Sequence, residues 1–395
     1  MNHDQNDPTV TRRGFVRGAL GISATAALAG CGFSGGDTAP SANSTTSTTG
    51  GTSASASPSQ LPPAAQAKID GDLVYFNWAE YLDPDVLKGF KKEYGVKIIE
   101  SNFDSYPAMM AKLNSGNEYD IVFPGSKEVA QLRAVDKLQR IDKAQLKNAD
   151  QVFGVSPYFD NPWYDANSDF SVPFTMYKTG IAYRKDKVTT MTGSWNDMWN
   201  ENAKGHIFVL DEADEAIGMA ALRLGLDINT DDPGDLAKIK EALLAQKPLL
   251  RGYSTDDINN MAGGNAWIHH MWSGDFLNLV NYSVDKPENY AFIAPKEGAP
   301  LGSDTYAVPA NAAHPGTALV FIDYLLRPEN IEKNINYLGY PMPTKNGAAV
   351  FAALSKDYPE TSVTVADLGQ PNVFKSQTIE GKAARDAMWT EVKAS

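Results

Sequence analysis

The chain has 395 residues, 35 basic and 48 acidic side chains and a net charge of −13. That balance argues against nucleic acid as a partner, whose binding needs clustered Lys and Arg to displace counterions. A single cysteine excludes an internal disulfide, so a body of this length, enough for two domains, must be held by its core alone.

Residues 1–30 read as an export signal. Arg12, Arg13 and Arg17 precede a short run of small and apolar residues that Leu28-Ala29-Gly30-Cys31 closes. This is the order of a bacterial secretory signal and its cleavage site. The run falls short of the ~20 residues that cross a bilayer as a helix. Thr11-Arg12-Arg13-Gly14-Phe15-Val16 resembles a twin-arginine export motif. LAGC resembles a lipobox, in which Cys31 becomes the first mature residue and carries lipid. Residues 31–67 are then anchor and tether: 32–66 are mostly Ser, Thr, Ala, Gly and Pro, too poor in large apolar groups to offset chain entropy.

From about Lys68 the chain alternates short apolar strands with amphipathic helices. DLVYFNW (72–78) predicts a strand rich in aromatic and β-branched residues. Asp83-Pro84 opens a helix with a cap and a first-turn proline, Leu87, Phe90 and Tyr94 form its stripe, and Gly95 ends it. VKIIES (96–101) predicts the next strand, Ser105–Leu113 a helix, and YDIVFPG (119–125) a strand running into a turn. The rhythm repeats with HIFVLDE (206–212), the helix EAIGMAALRLG, the strand NAWIHHMW (265–272), the short strand TYAVP and the helix GTALVFIDYLLRP (316–328). Strands alternating with helices predict an α/β fold with mainly parallel sheets.

Polar and aromatic residues gather at strand ends: Trp78, Glu80 and Tyr81; Gly125, Ser126, Lys127 and Glu128; Asp211, Glu212, Asp214 and Glu215; Trp272 and Asp275; Asp304 and Tyr306. In open α/β sheets ligands bind beyond the carboxyl ends of strands, so these clusters predict one cleft of carboxylates and rings. An organic cation suits it. Aromatic faces attract an alkyl ammonium by ~0.5–2 kcal/mol each, and each sheltered methylene adds ~0.8 kcal/mol. Glu212 and Glu215 also suit the first turn of a helix on dipole grounds alone.

Catalytic motifs are missing: no G-x-S-x-G, H-E-x-x-H, P-loop or G-x-G-x-x-G after a strand. His269 and His270 are adjacent on a predicted strand and point to opposite faces, one expected in the core and one on the surface. No metal site and no cofactor are expected.

At Asn77-Trp78-Ala79-Glu80-Tyr81, and onward through YDIVFP (119–124), SVPF (171–174), SWNDMW (194–199), DEADE (211–215), PKEG (295–298), AVPANA (307–312), LLRPEN (325–330) and LGYPMPTKNG (338–347), the body resembles the bacterial spermidine/putrescine-binding proteins, the solute receptors of ABC importers. The resemblance implies a two-lobe periplasmic-binding-protein fold with crossing hinge strands and a polyamine in the central cleft. Lobe 1 would comprise residues 68–177 with 305–337, and lobe 2 residues 178–304 with 338–395. It implies ligand contacts from Trp78, Glu80, Tyr81, Glu212, Glu215, Ser254, Trp272, Asp304 and Tyr340. Ser126, Lys127 and Asp275 join them from the strand-end clusters.

Two departures bear on the ligand. Lys127 stands where the family usually has a tyrosine, and Gly302 where it usually has a tryptophan; Gly125 replaces a small hydroxyl. A lysine there repels a diammonium ligand unless it turns outward or pairs with an acid, and Gly302 is expected to open one wall. The implied protein is a monomer, lipid-anchored on the outer face of the cytoplasmic membrane, that captures spermidine, putrescine or a similar solute and delivers it to a permease driven by an ATPase. The alternatives are the same receptor for another solute, such as a zwitterion, and a secreted enzyme using the acidic cleft.

Overall fold

The computed structural model describes residues 65–395. The export signal, Cys31 and almost all of the tether lie outside the described residues. Within them, nine strands and twelve α-helices alternate for most of the chain.

The first units form as local chemistry dictates. Strand β1 (Leu73–Trp78) leads to helix α1 (Pro84–Tyr94), where the Asp83 carboxylate accepts from the Asp85 N–H at 2.7 Å and Gly95 ends the helix at φ 70°. Strand β2 (Ile98–Phe103) follows, then α2 (Tyr106–Asn114) capped by the Ser105 hydroxyl, β3 (Ile121–Val122), α3 (Ser126–Ala134) and the short α4 (Pro157–Asp160). The long strand β4 (Ser171–Arg184) precedes β5 (Ile207–Val209), α5 (Ala213–Arg223), α6 (Pro233–Gln246) and β6 (Leu250–Tyr253). Helix α7 (Asp257–Ala262), β7 (Ile268–Trp272), α8 (Ser273–Asn278), β8 (Tyr290–Ile293) and β9 (Leu301–Ala307) come next. Helices α9 (Pro315–Leu325), α10 (Pro328–Leu338), α11 (Gly347–Leu354) and α12 (Ile379–Ala394) complete the chain.

The strands form one path in the order β2-β1-β3-β9-β4-β7-β5-β6, with β8 also on β4. Strand β4 divides it. Residues Ser171–Lys178 pair with β9, and from Thr179 onward the partners are β7 and then β8. The first half carries a core around Tyr75, Phe90, Phe123 and Phe321; the second carries one around Trp195, Ile207, Ile217 and Leu243.

Three expectations change. The sheet is mixed rather than mainly parallel: β1/β2, β1/β3, β5/β6 and β5/β7 are parallel, but every pair made by β4 or β9 is antiparallel, because these strands run between the halves instead of closing a βαβ unit. His269 and His270 are both fully buried, since both faces of β7 are covered: His269 stacks on Phe208 and His270 meets the edge of Trp195. Burial lowers their pKa values to about 4 and about 3. Finally, Pro328 opens α10 at its first turn, while the preceding helix ends at Leu325.

Candidate ligand-binding cleft

The two halves of the sheet bring two carboxylates onto one face of β4. Asp304 lies opposite Thr175 in the β4–β9 register. Its Oδ2 accepts from Tyr81 Oη at 2.7 Å and Thr175 Oγ1 at 3.2 Å, and its Oδ1 from Tyr106 Oη at 2.5 Å. Thr305 fixes β9 beneath it by donating its N–H and hydroxyl to Pro124 O. Burial raises the pKa of Asp304 despite the three hydroxyls that favour its anion. Four residues along β4, Thr179 Oγ1 donates to Glu215 Oε2 at 2.8 Å, and Trp272 Nε1 reaches Glu215 Oε1 at 3.3 Å. Burial pushes the Glu215 carboxyl up to about 8. Among the described residues neither acid forms an ion pair. Four strand residues put the two threonines on one face roughly 13 Å apart.

Rings line the space beside these acids. Trp78, from the first half, and Trp272, from the second, have centroids 6.4 Å apart, and both are half-buried. Tyr81 packs edge-on against Tyr340 at 5.8 Å. Between the two threonines, Tyr177 lies over Gly302: a Cβ there would stand 2.2 Å from its Cζ. The wall expected to open at Gly302 is therefore filled from the neighbouring strand. Gly125 is similarly confined, since a Cβ on it would stand 2.7 Å from Glu128 Oε2 and 2.9 Å from Tyr106 Oη.

Lys127 faces inward and is paired. It is buried, its Nζ bonds to Asp214 and lies 3.3 Å from Glu128 Oε1, and Asp214 Oδ1 also accepts from Arg385 Nη2 at 3.1 Å. Burial opposes the charge of Lys127, but Asp214 and Glu128 outweigh it and hold the pKa above the ordinary lysine value. For Asp214 burial is likewise overcome, by Lys127 and Arg385, and its pKa is held well below the usual carboxylate range. Glu212, the cap residue of α5, keeps a buried Oε1 without a hydrogen-bond partner among the described residues; burial drives its pKa well up, with Lys127 opposing.

Tyr340 Oη donates to Asp275 Oδ1 at 2.7 Å, and the Asp257 carboxyl lies close enough for the two acids to influence each other. Burial pushes Asp275 up to about 6, and Asp257, with a nearby like charge, is raised too.

Contacts thus link Trp78, Tyr81, Glu215, Trp272, Asp275, Asp304 and Tyr340, with Lys127 and Glu212 beside them. Three expected residues stand apart. Glu80 is exposed, at φ 57°; Ser126 is buried at the start of α3 without a hydrogen bond to these acids; and Ser254 accepts from Asn260 Nδ2 and the Asp256 N–H, holding its own turn. Sequence reasoning missed Tyr106, Thr175, Tyr177, Thr179, Asp257 and Arg385. The alternation of Thr175, Tyr177 and Thr179 was a usable signal; Arg385, 171 residues from Asp214, had none.

A family model described as "Bacterial extracellular solute-binding protein" matches residues 85–362. The chain is 33% identical over 284 residues to the spermidine/putrescine-binding periplasmic protein of Salmonella typhimurium, covering 71% of this chain and 80% of that one. It is 28% identical over 338 residues to a putrescine/agmatine-binding protein of Pseudomonas aeruginosa, covering 80% and 90%. Among solved structures, a protein of Listeria monocytogenes described as a spermidine/putrescine ABC transporter superposes with a TM-score of 0.74 at 25% identity, over 82% of this chain and 99% of that one. With its two-lobe fold, the chain belongs to the spermidine/putrescine-binding family of bacterial extracellular solute-binding proteins, which are receptors and not enzymes.

Proposed function

We propose that this protein is the substrate receptor of an ABC importer and that its solute is a small polyamine of the putrescine or spermidine class. The observation that carries the reading is the pair Glu215 and Asp304. Each is buried, each is held by a threonine of β4, and neither is paired with a cation among the described residues. A carboxylate in low dielectric is costly unless a cation joins it. A ligand with an ammonium at each end supplies both, and Trp78 and Trp272 shelter the methylenes between them. A zwitterionic solute is less well served, because Lys127 already spends its charge on Asp214 and Glu128.

Capture is by closure of two lobes. Residues 68–177 with 305–337 form one lobe and 178–304 with 338–395 the other, and the ligand favours closure by binding the closed state better. The closed receptor then docks as a monomer on a permease driven by an ATPase. Export through residues 1–30, by the twin-arginine route, and lipid on Cys31 with a tether to residue 67 place it on the outer face of the cytoplasmic membrane. Calorimetry of the purified protein with putrescine, spermidine, amino acids and sugars tests the reading. Saturable binding of the amines without turnover is expected; binding of a sugar or amino acid alone would replace the assignment.

A further inference from the structure

Lys127 does more than tolerate an acidic neighbourhood. It stands at the start of α3, in the first half of the molecule, and its ammonium crosses to Asp214 on α5, in the second. Its backbone carbonyl also lies 3.5 Å from Ser376 Oγ, in the segment before α12. Glu128 stands 3.3 Å away on its own helix, and Glu212, whose buried Oε1 has no hydrogen-bond partner among the described residues, lies near enough for the lysine charge to lower its pKa. The residue is 8% exposed. Behind it, Asp214 is anchored by Arg385, which is 1% exposed and donates a further bond to Thr230 O at 2.9 Å. An ammonium among three carboxylates, facing the same cleft as Glu215, stands where a ligand cation would otherwise be drawn.

We propose that Lys127 is a tethered cation that straps the two halves together and fills one charge position of the cleft, so that the receptor selects a short diammonium ligand over a longer polyammonium one. Both charges of the strap belong to the chain, so its contribution to closure needs no ligand. The binding-competent form is then more populated beforehand, which removes part of the affinity lost to closing. The selectivity follows from charge count: a third ammonium finds Asp214 and Glu128 already neutralised and meets Lys127 as a like charge. This selectivity rests on the polyamine reading above; the strap does not.

Small-angle X-ray scattering and calorimetry on the wild type and Lys127→Met test both parts. Without added amine, Lys127→Met shifts to a larger radius of gyration than the wild type, and saturating putrescine contracts it by more. The ratio of spermidine to putrescine affinity rises at least about tenfold in the variant, the scale of one charged contact. An unchanged ligand-free radius overturns the strap, and an unchanged ratio overturns the selectivity. If Lys127→Met does not fold, Lys127→Gln carries the selectivity measurement, since an amide can still hydrogen-bond Asp214 without bringing charge. Should neither amine bind the wild type, the polyamine reading falls, while the scattering still decides the strap.

Discussion

Tyr177 fills the space that a side chain at Gly302 would need, its Cζ 2.2 Å and its Oη 2.3 Å from an ideal Cβ there. The two residues face each other in the β4–β9 register. Their sizes are therefore linked, and the pair sets the central wall between Asp304 and Glu215. The charges of both acids help raise the pKa of Tyr177 beyond the effect of burial, which places its hydroxyl in their field.

Gly302→Ala is expected to displace Tyr177 and destabilise the protein by ~1–3 kcal/mol, the usual cost of overpacking. Combining it with Tyr177→Gly should recover part of that loss, because the clash partner is gone. Urea unfolding of the two single variants and the double variant measures the coupling; strict additivity would show that the two positions do not share space.

Removing the charge of Asp304 should weaken the ligand without unfolding the protein. Asp304→Asn keeps the shape and the hydroxyl partners Tyr81, Tyr106 and Thr175 while losing a charged contact, worth ~1.5–3 kcal/mol. Full affinity by calorimetry would remove Asp304 from the site.

Glu215 predicts proton release on binding. With its pKa pushed up to about 8 by burial, the carboxyl is largely protonated at neutral pH, and an arriving ammonium expels that proton. Affinity then rises by up to about tenfold per pH unit as pH approaches about 8, and levels above it. For the ligand-free protein the sign is opposite: a raised folded-state pKa favours the fold below the ordinary value of 4.5, and that contribution is lost as pH rises toward about 8. Calorimetry in two buffers of different ionisation enthalpy counts the protons, and Glu215→Gln should abolish the difference between buffers.

Acid stability should depend on His270. Its folded-state pKa is depressed from 6.5 to about 3 by burial, so its contribution is present above 6.5 and is lost as pH falls toward about 3. Both ring nitrogens are buried without a hydrogen-bond partner among the described residues. His270→Leu should narrow the gap in unfolding free energy between pH 7 and pH 5 by up to ~1.4 kcal/mol per pH unit below the unfolded pKa. Denaturant melts at the two pH values would show the same gap as the wild type if His270 were not responsible.

Anchoring is tested at Cys31. Cys31→Ser should move the protein from the membrane fraction to the soluble one with ligand affinity unchanged, because a lipid on Cys31 would be more than thirty residues of chain away from the first strand. A variant that stays in the membrane fraction after a high-salt wash would exclude lipidation there.

Where local chemistry decides the structure, the chain was readable in advance. Asp83, Pro84 and Gly95 bound α1, and Ser105 caps α2, because caps act within one turn. Strand β4 was touched only by SVPF, a motif of the resemblance, and no strand was expected there; its Pro173 and Gly180 are residues that usually interrupt a strand. Yet Pro173 lies at a register shift, and Gly180 makes room for Ile293 O, which would stand 2.4 Å from a Cβ. The site shows the same limit. Trp78, Tyr81, Glu215, Trp272, Asp304 and Tyr340 were named from strand ends and resemblance, whereas Thr175 and Thr179 act only because β9 and α5 come to lie beside them. Glu80, in the same motif as Trp78 and Tyr81, turns to solvent because its backbone adopts φ 57°.

The single strand that passes through both halves also measures length. Thr175 and Thr179 grip one acid each from positions separated by an even number of residues, so their spacing on β4 is graduated in steps of two residues, roughly 6.6 Å. Bending the sheet tilts the two grips without altering the number of residues between them. A receptor of this design can change the length it accepts by gaining or losing one such step in a strand, with every side chain at its two ends kept.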